Sequence, residues 1–414
     1  MRVLHTADWH FGKTLEGRDR LPEQRRFVDE LCQICDDEQI DLILMAGDVY
    51  QTFNPSAEAE ELFYEALDRL SAHGTRGIVV ISGNHDSPDR LSAPFPLADR
   101  LGITLLGLPK EPLHATIHPA VGRVQRVAAG PSWLELNLPS TNEHCVIAAL
   151  PYPSESRLNE LLSESLDEAD IQAGYSQSVQ TMFQNLASHF RKDTVNLAMS
   201  HLYVRGGLPS DSEQDIAFGG AYLVDPAVFP ETAQYVALGH LHRPQWVQGT
   251  KVPVRYAGSP IAYSFSETGY TKSVTVIDVL PGESAKVHEV PLSCGRPLVK
   301  WVARGGVEEA LRWIESGKDE AAFIDLEVHV SSTDLLLDSR DLRRLRPDLV
   351  SVHFVFTEAP SAFVPEGVRH LPVDEQFRRF YEKERGRAPD KRMVEVFLRL
   401  LEEYGVSEKS TEEE

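Results

Sequence analysis

The stretch GIVVISGNHD, residues 77–86, decides the reading of this chain. Gly77–Ser82 is a short apolar run rich in β-branched side chains, the composition of a strand buried on both faces. It stops abruptly at Gly83-Asn84-His85-Asp86. An Asn-His-Asp run placed directly after a buried strand serves little structural purpose, so it reads as chemistry. The same arrangement recurs in both directions. Upstream, Asp8-Trp9-His10 follows the apolar start of the chain, and Gly47-Asp48 follows DLILMA. Downstream, His201 follows VNLAMS, and Gly239-His240-Leu241-His242 follows QYVAL. A lone Gly-Asp or a lone histidine after a strand is a weak signal. All five clusters, each at a strand end and in this order, are specific.

Helical apolar spacing between the first strands, over Leu21–Gln39 and Ser56–Ala72, gives a β-α-β-α-β rhythm and an α/β sheet with layered helices. Shorter strands are expected at Thr116–Ala129, Trp133–Leu138 and Cys145–Leu150, then a helix over Ser178–Phe190. Strands return at Val195–Met199, Gln234–Leu238, Val254–Ala257 and Ser273–Val279. The result is a mixed sheet or two packed sheets over residues 1–280, flanked by helices. Ligands of open α/β sheets bind outside the carboxyl ends of strands, so the five clusters can meet in one site. Pro281-Gly282-Glu283 is a turn signal and a plausible border. Residues 281–360 read as a small α+β domain, residues 361–406 carry C-terminal helices, and 407–414 (SEKSTEEE from Ser407) read as an acidic, solvated tail.

Carboxylate and imidazole together suit divalent manganese, iron or zinc. Asp48 is a natural bridge, since one carboxylate can hold two ions about 3.5–4 Å apart. His85, next to candidate ligand Asn84, is placed to contact a scissile phosphate or protonate a leaving oxygen. Asp86 is placed to orient His85 or to brace the loop. Cys32 and Cys35 form a C-x-x-C, but they lie on a helical apolar stripe with Phe27, Leu31 and Ile34, and no second pair completes a zinc site. They read as core thiols.

The 414 residues carry 41 basic and 63 acidic side chains, a net charge of −22. Proteins that bind DNA unaided are usually basic, because phosphate contacts dominate affinity. This balance argues against strong DNA binding by the chain alone and leaves room for metal ions and a basic partner. The start of the chain has no leader pattern, and no run of about 18 apolar residues exists; a cytoplasmic protein with no membrane span is expected.

D-x-H, G-D, G-N-H-D, a later His and G-H-x-H together resemble the calcineurin-like metallophosphoesterase superfamily, which includes phosphatases, cyclic-nucleotide phosphodiesterases and nucleases. The longer segments HTADWHFGKTLEGRDR, GDVYQTFNPS, ISGNHDSPDRL, YVALGHLHRPQ and RYAGSPIAYSFSE resemble the SbcD family across residues 1–280. That resemblance implies a metallophosphoesterase β-sandwich, a capping domain, and a manganese-dependent nuclease. It would act on double-stranded ends as a 3′–5′ exonuclease and on hairpins or single strands as an endonuclease. It implies a homodimer working with the coiled-coil ATPase SbcC in DNA repair, recombination and replication. By the same resemblance, Asp8, His10, Asp48 and His242 would hold one Mn2+ and Asp48, Asn84, His201 and His240 the other, with His85 facing the phosphate. The chain departs from archaeal members at Gln51, where they carry a histidine. Arg340, Arg343, Arg344 and Arg346 of the capping domain are candidates for phosphate contact, and equally for a solvated face. Two apolar patches, Phe377, Phe380 and Tyr381, and Met393, Phe397, Leu400 and Leu401, would dock the base of the ATPase coiled coil. Helices near Ser56–Ala72 and Asp89–Leu101 are candidates for the dimer contact. A small-molecule phosphodiesterase and a catalytically silent scaffold stay open as alternatives.

Overall fold

A computed structural model describes residues 1–158, 168–213, 222–330, 339–356, 372–385 and 388–403. The chain begins β1 (Arg2–Thr6), α1 (Leu21–Asp37), β2 (Leu42–Ala46), α2 (Ala57–Leu70), β3 (Gly77–Ile81), α3 (Pro88–Ser92), α4 (Phe95–Ala98) and β4 (Ile103–Leu106). It continues with β5 (Gln125–Gly130), β6 (Trp133–Leu138), β7 (Glu143–Leu150), α5 (Glu155–Leu158), α6 (Glu168–Ala187) and β8 (Val195–His201). Then come β9 (Tyr203–Val204), β10 (Leu223–Val224), β11 (Tyr235–Gly239), β12 (Gln245–Trp246), β13 (Val254–Tyr256), β14 (Ser273–Asp278) and β15 (Lys286–Pro291). The rest is β16 (Leu298–Ala303), α7 (Gly306–Glu315), β17 (Phe323–Val330), α8 (Ser339–Leu345), β18 (Leu349–Phe356), α9 (Val373–Arg385) and α10 (Lys391–Glu403).

Two sheets face each other. One is six-stranded in the order β15-β14-β1-β2-β3-β4, the other seven-stranded in the order β12-β13-β11-β8-β7-β6-β5. The period-2 alternation of a strand explains how each sheet serves two cores. In β2, Leu42, Leu44 and Ala46 point into the gap, where they meet Ile147 and Ala149 of β7, Leu197 of β8 and Ala237 of β11. Ile43 and Met45 point the other way, against Phe27 and Leu31 of α1 and Phe63 and Leu67 of α2. On the far side, Ala198 and Val236 pack against Tyr175, Val179 and Phe183 of α6. The product is a four-layer α-β-β-α sandwich. Helix α2 shows why these elements form. Ser56 caps its N-terminus by accepting from the Ala59 N–H at 3.3 Å, Glu58 and Glu60 lie in its first turn, and Ala59, Leu62, Phe63, Ala66, Leu67 and Leu70 make one buried stripe.

Three expectations fall differently. The turn at Pro281-Gly282 closes a hairpin rather than a domain: β15 pairs antiparallel with β14 from Asp278↔Lys286 to Ser273↔Pro291, so the first sheet runs on to Pro291. The strand expected over Thr116–Ala129 begins only at Gln125, because Pro119 lacks an N–H and Gly122 sits at φ 76°. Helix α6 starts well before Ser178, and its polar first half hides the stripe that begins at Tyr175.

The chain divides into two compact units, Met1–Val328 with Leu337–His353, and His329–Leu336 with Phe354–Glu414. In the first, β16 and β17 pair in parallel across α7, and Leu298, Phe323 and Val350 close a small core with Leu15 of the β1–α1 loop. Arg346 is buried there, donating to the Asp319 carbonyl at 3.0 Å and pairing with Asp348 at 3.3 Å, so it is structural. Arg344 is exposed beside Asp341. In the second unit, Phe377 of α9 and Phe397 of α10 stack with centroids 4.1 Å apart. The side chains of Phe380, Leu400 and Leu401, and the tail from residue 404, lie outside the described residues. Cys35 is buried and Cys32 half-buried, both as free thiols, and burial pushes the Cys35 thiol up to about 12. Among the described residues no helix is long and apolar enough to cross a membrane.

Candidate metal centre

The loops that leave β1 and β2 zip together beyond the strands. The Asp8 N–H donates to the Gly47 carbonyl at 3.0 Å, His10 to Asp48 at 3.0 Å and Phe11 to Val49 at 2.9 Å. The second sheet delivers its residues to the same place, because β8 and β11 run parallel in a register that sets Gly239 opposite His201. The two sheets touch here. His201 Nδ1 lies 3.0 Å from the Ala46 carbonyl oxygen. A Cβ on Gly239 would fall 1.9 Å from that same oxygen, and one on Gly83 would fall 2.1 Å from Asp48 Oδ1. Only glycine permits this approach.

Asp8, His10, Asp48, His201, His240 and His242 are all buried, and Asn84 and His85 are half-buried beside them. Candidate ligand atoms of Asp8, His10 and His242 lie within 4.8 Å of one another, as do those of His10, Asp48 and His85, and those of Asp8, Asp48 and His201. Asp48 occupies the middle: its Oδ2 is 3.6 Å from His10 Nε2 and 3.4 Å from His201 Nε2. Asn84 Oδ1 stands 2.9 Å from His201 Nε2. His240 joins none of the three groupings; its backbone N–H donates to Asp8 Oδ1 at 2.8 Å and its ring stands edge-on to His201 at 5.3 Å.

The donor set fits divalent cations. The Nε2 atoms of His10 and His242 face each other at 3.0 Å, and Asp8 Oδ2 and His10 Nδ1 are buried with no hydrogen-bond partner among the described residues. Burial raises the Asp8 carboxyl well above its usual range, while His201, His85 and His10 overcome burial and hold Asp48 well below it. Burial also lowers His10 and His240, whereas at His201 the carboxylates of Asp48 and Asp8 outweigh burial and raise the imidazole to about 9. A cation among these groups would relieve the unpaired lone pairs and the crowding of buried carboxylates at once.

Several supporting residues carry no motif in the sequence. Arg157 donates to the Gly83 carbonyl at 2.7 Å, the Asp86 carbonyl at 2.8 Å and Ser82 Oγ at 3.0 Å, and so fixes the Gly83–Asp86 loop from outside. Gln24 donates to the His10 carbonyl at 2.9 Å and to Tyr263 Oη at 3.0 Å, and Tyr263 in turn donates to the Trp9 carbonyl. Asp86 braces the loop and leaves His85 alone: it accepts from the N–H groups of Gly83 at 2.9 Å, Tyr50 at 3.0 Å and Val49 at 3.2 Å. His85 is oriented instead by the Gln51 carbonyl, 2.8 Å from its Nδ1.

A sandwich with an acid–histidine cluster at the carboxyl ends of both sheets defines a metal-dependent phosphoesterase. The family model for calcineurin-like phosphoesterases matches residues 1–244. A curated relative from Bacillus subtilis (strain 168), the SbcD component of the SbcCD nuclease, is 48% identical over 402 residues, covering 97% of each chain. A second SbcD component, from Rhodobacter capsulatus, is 37% identical and covers 74% of this chain and 72% of its own. The chain belongs to the calcineurin-like phosphoesterases and, within them, to the SbcD family of nuclease subunits.

Proposed function

We propose that this chain is the nuclease subunit of a cytoplasmic DNA-processing complex, cutting phosphodiester bonds in DNA with two bound Mn2+ ions and working as a homodimer with an SbcC-type ATPase. The observation that carries this reading is the extent of the 48% match, which runs through the cap and the C-terminal helices as well as the phosphoesterase core. A small-molecule phosphodiesterase needs neither segment.

Asp8, His10, Asp48 and His242 would hold one ion, and Asp48, Asn84, His201 and His240 the other. Ions so held would supply positive charge to the phosphate oxygens and acidify a water near neutral pH. His85 handles the proton. Its Nδ1–H is committed to the Gln51 carbonyl, which leaves Nε2 to hold the phosphate or to protonate the departing oxygen. Its backbone N–H donates to Asp48 Oδ1 at 3.0 Å, which ties its position to the carboxylate at the centre of the cluster. Binding is shared: with a net charge of −22, the chain draws DNA affinity from its partner and the ions. Met393, Val396 and Leu398 of α10 are exposed apolar side chains, in keeping with a docking role for the patches at Phe377, Phe380, Tyr381, Phe397, Leu400 and Leu401. The Phe377–Phe397 stack holds α9 against α10. Exposed Tyr64 and Leu97 are in keeping with a dimer contact near α2 and α4.

The test is cleavage of a labelled linear duplex and a hairpin with Mn2+, with and without the ATPase partner, comparing wild type with His85→Gln. The expected result is a loss of about 10²–10⁴-fold in kcat with metal content unchanged. Hydrolysis of a small phosphodiester with DNA untouched, even with the partner added, would replace this reading with the small-molecule one. Metal-free, inactive wild type would leave a scaffold.

A further inference from the structure

We infer that Ser212, held between Glu267 and His242, is a positioning residue that selects the tautomer in which His242 turns an unprotonated Nε2 toward the metal centre. This rests on the metal assignment above and adds a residue outside every motif of the sequence. Ser212 Oγ lies 2.5 Å from His242 Nδ1 and 2.6 Å from Glu267 Oε1. A hydroxyl has one proton to give, and an ionised carboxylate can only accept. The hydroxyl proton therefore goes to Glu267, and the contact to His242 has to be an Nδ1–H donating to the serine oxygen. Nε2 is left with its lone pair, facing His10 Nε2 at 3.0 Å.

Glu267 is fixed in the charged form this needs. It is buried, its Oε2 accepts from Lys272 Nζ, and its Oε1 accepts from the Tyr263 N–H at 3.0 Å. Lys272 also donates to the His242 carbonyl at 2.8 Å and to Ser259 Oγ at 2.8 Å, so the base of the relay and the backbone of His242 are held by one ammonium. Glu267 itself lies 3.7 Å from His242 Nδ1, too far for a direct hydrogen bond, and the serine bridges the distance. The segment that carries Ser212 is tied at several points. Lys13 Nζ donates to the Ser212 carbonyl at 2.8 Å, the Asp211 N–H to Ser266 Oγ at 2.9 Å, and the His242 N–H to Glu213 Oε1 at 2.7 Å. Partners of this kind set the ring orientation and basicity of a ligating histidine, and their loss typically costs 10–100-fold in metal affinity.

The experiment is calorimetric titration of the intact metal-free chain with MnCl2, for wild type, Ser212→Ala and Ser212→Thr. It is paired with ¹⁵N NMR of histidine-labelled protein, in which the His242 ring is assigned by its disappearance in His242→Gln. Wild type is expected to take two ions per chain, with an Nδ1–H signature at His242. Ser212→Ala is expected to weaken one ion by about 10–100-fold, leave the other, and lose that signature. Ser212→Thr, which keeps the hydroxyl, is expected to restore both. Wild-type affinity for both ions in Ser212→Ala, or an unchanged His242 tautomer, overturns the role of Ser212 while the metal reading stands. A wild type that takes up no Mn2+ overturns the metal reading and this inference together. If Ser212→Ala does not fold, Ser212→Gly, which also lacks the hydroxyl, replaces it, and the same outcomes decide.

Discussion

Asp8, His10, Asp48 and His240 hold φ at 54°, 46°, 53° and 110°, in the region that side chains other than glycine rarely enter. Strain of this sort persists only where surrounding structure over-determines it, and it gathers at functional sites. Here it falls on residues just past the ends of β1, β2 and β11, where the cluster gathers. The glycines alongside them are under the opposite demand. Gly239→Ala would drive a methyl into the Ala46 carbonyl, so the ends of β11 and β2 would have to part. We expect it to cost about 1–3 kcal/mol in urea unfolding and to weaken Mn2+ binding in the same preparation. Wild-type stability with full metal affinity would show that the seam is looser than drawn. At this scale the sequence was legible where side-chain identity carries the chemistry: Asp8, His10, Asp48, His201 and His242 stand out by residue type and lie in overlapping groups in the fold. Arg157, Ser212 and Glu267 were not legible. Each acts on atoms far along the chain, and an isolated Arg, Ser or Glu carries no local pattern.

Elements were legible wherever one face is apolar and the other is not. Helices α1 and α2 and strands β1 to β3 declare themselves by spacing, because each packs against the sandwich with a fixed period. The hairpin at Pro281-Gly282 was not told apart from a domain border, since the same turn chemistry serves both, and strand partners lie outside the local sequence. One pairing between elements gives a pH test. Glu135 of β6 accepts from Arg191, which precedes β8, at 2.8 and 2.9 Å, and its other contact is His144 Nδ1 at 2.6 Å. Its hydrogen bonds from Arg191 lead, against burial, in lowering its carboxyl from 4.5 to about 2. A lowered carboxyl contributes stability above its unfolded value and loses it as pH falls through the folded one. The stability gap between wild type and Glu135→Gln should thus be full above about pH 5 and close between about pH 4.5 and 2. Since Arg191 is itself partly exposed, the full gap is about 1–2 kcal/mol. A gap independent of pH over that range would assign the effect to packing.

For the whole molecule, the division of the candidate ligands between the sheets matters most. Asp8, His10, Asp48 and Asn84 follow strands of the first sheet, while His201 ends β8 and His240 and His242 follow β11 in the second. Ions bound there would clasp the two layers, so Mn2+ at about 100 times its dissociation constant should add about 2.7 kcal/mol per site. Calorimetric melting should show this as a higher Tm that EDTA reverses. Asp48→Asn should abolish the rise; a variant that keeps it would show that the ions bind elsewhere.

The position of β1 carries a consequence for how the molecule is made. It lies between β2 and β14, so its second neighbour is not synthesised until residues 273–278. On the ribosome, Asp8, His10 and Asp48 emerge before His201, His240 and His242, while the β14 flank of β1 is still bare. A nascent chain therefore carries an incomplete set of the candidate donors until the strands of the second sheet have been made.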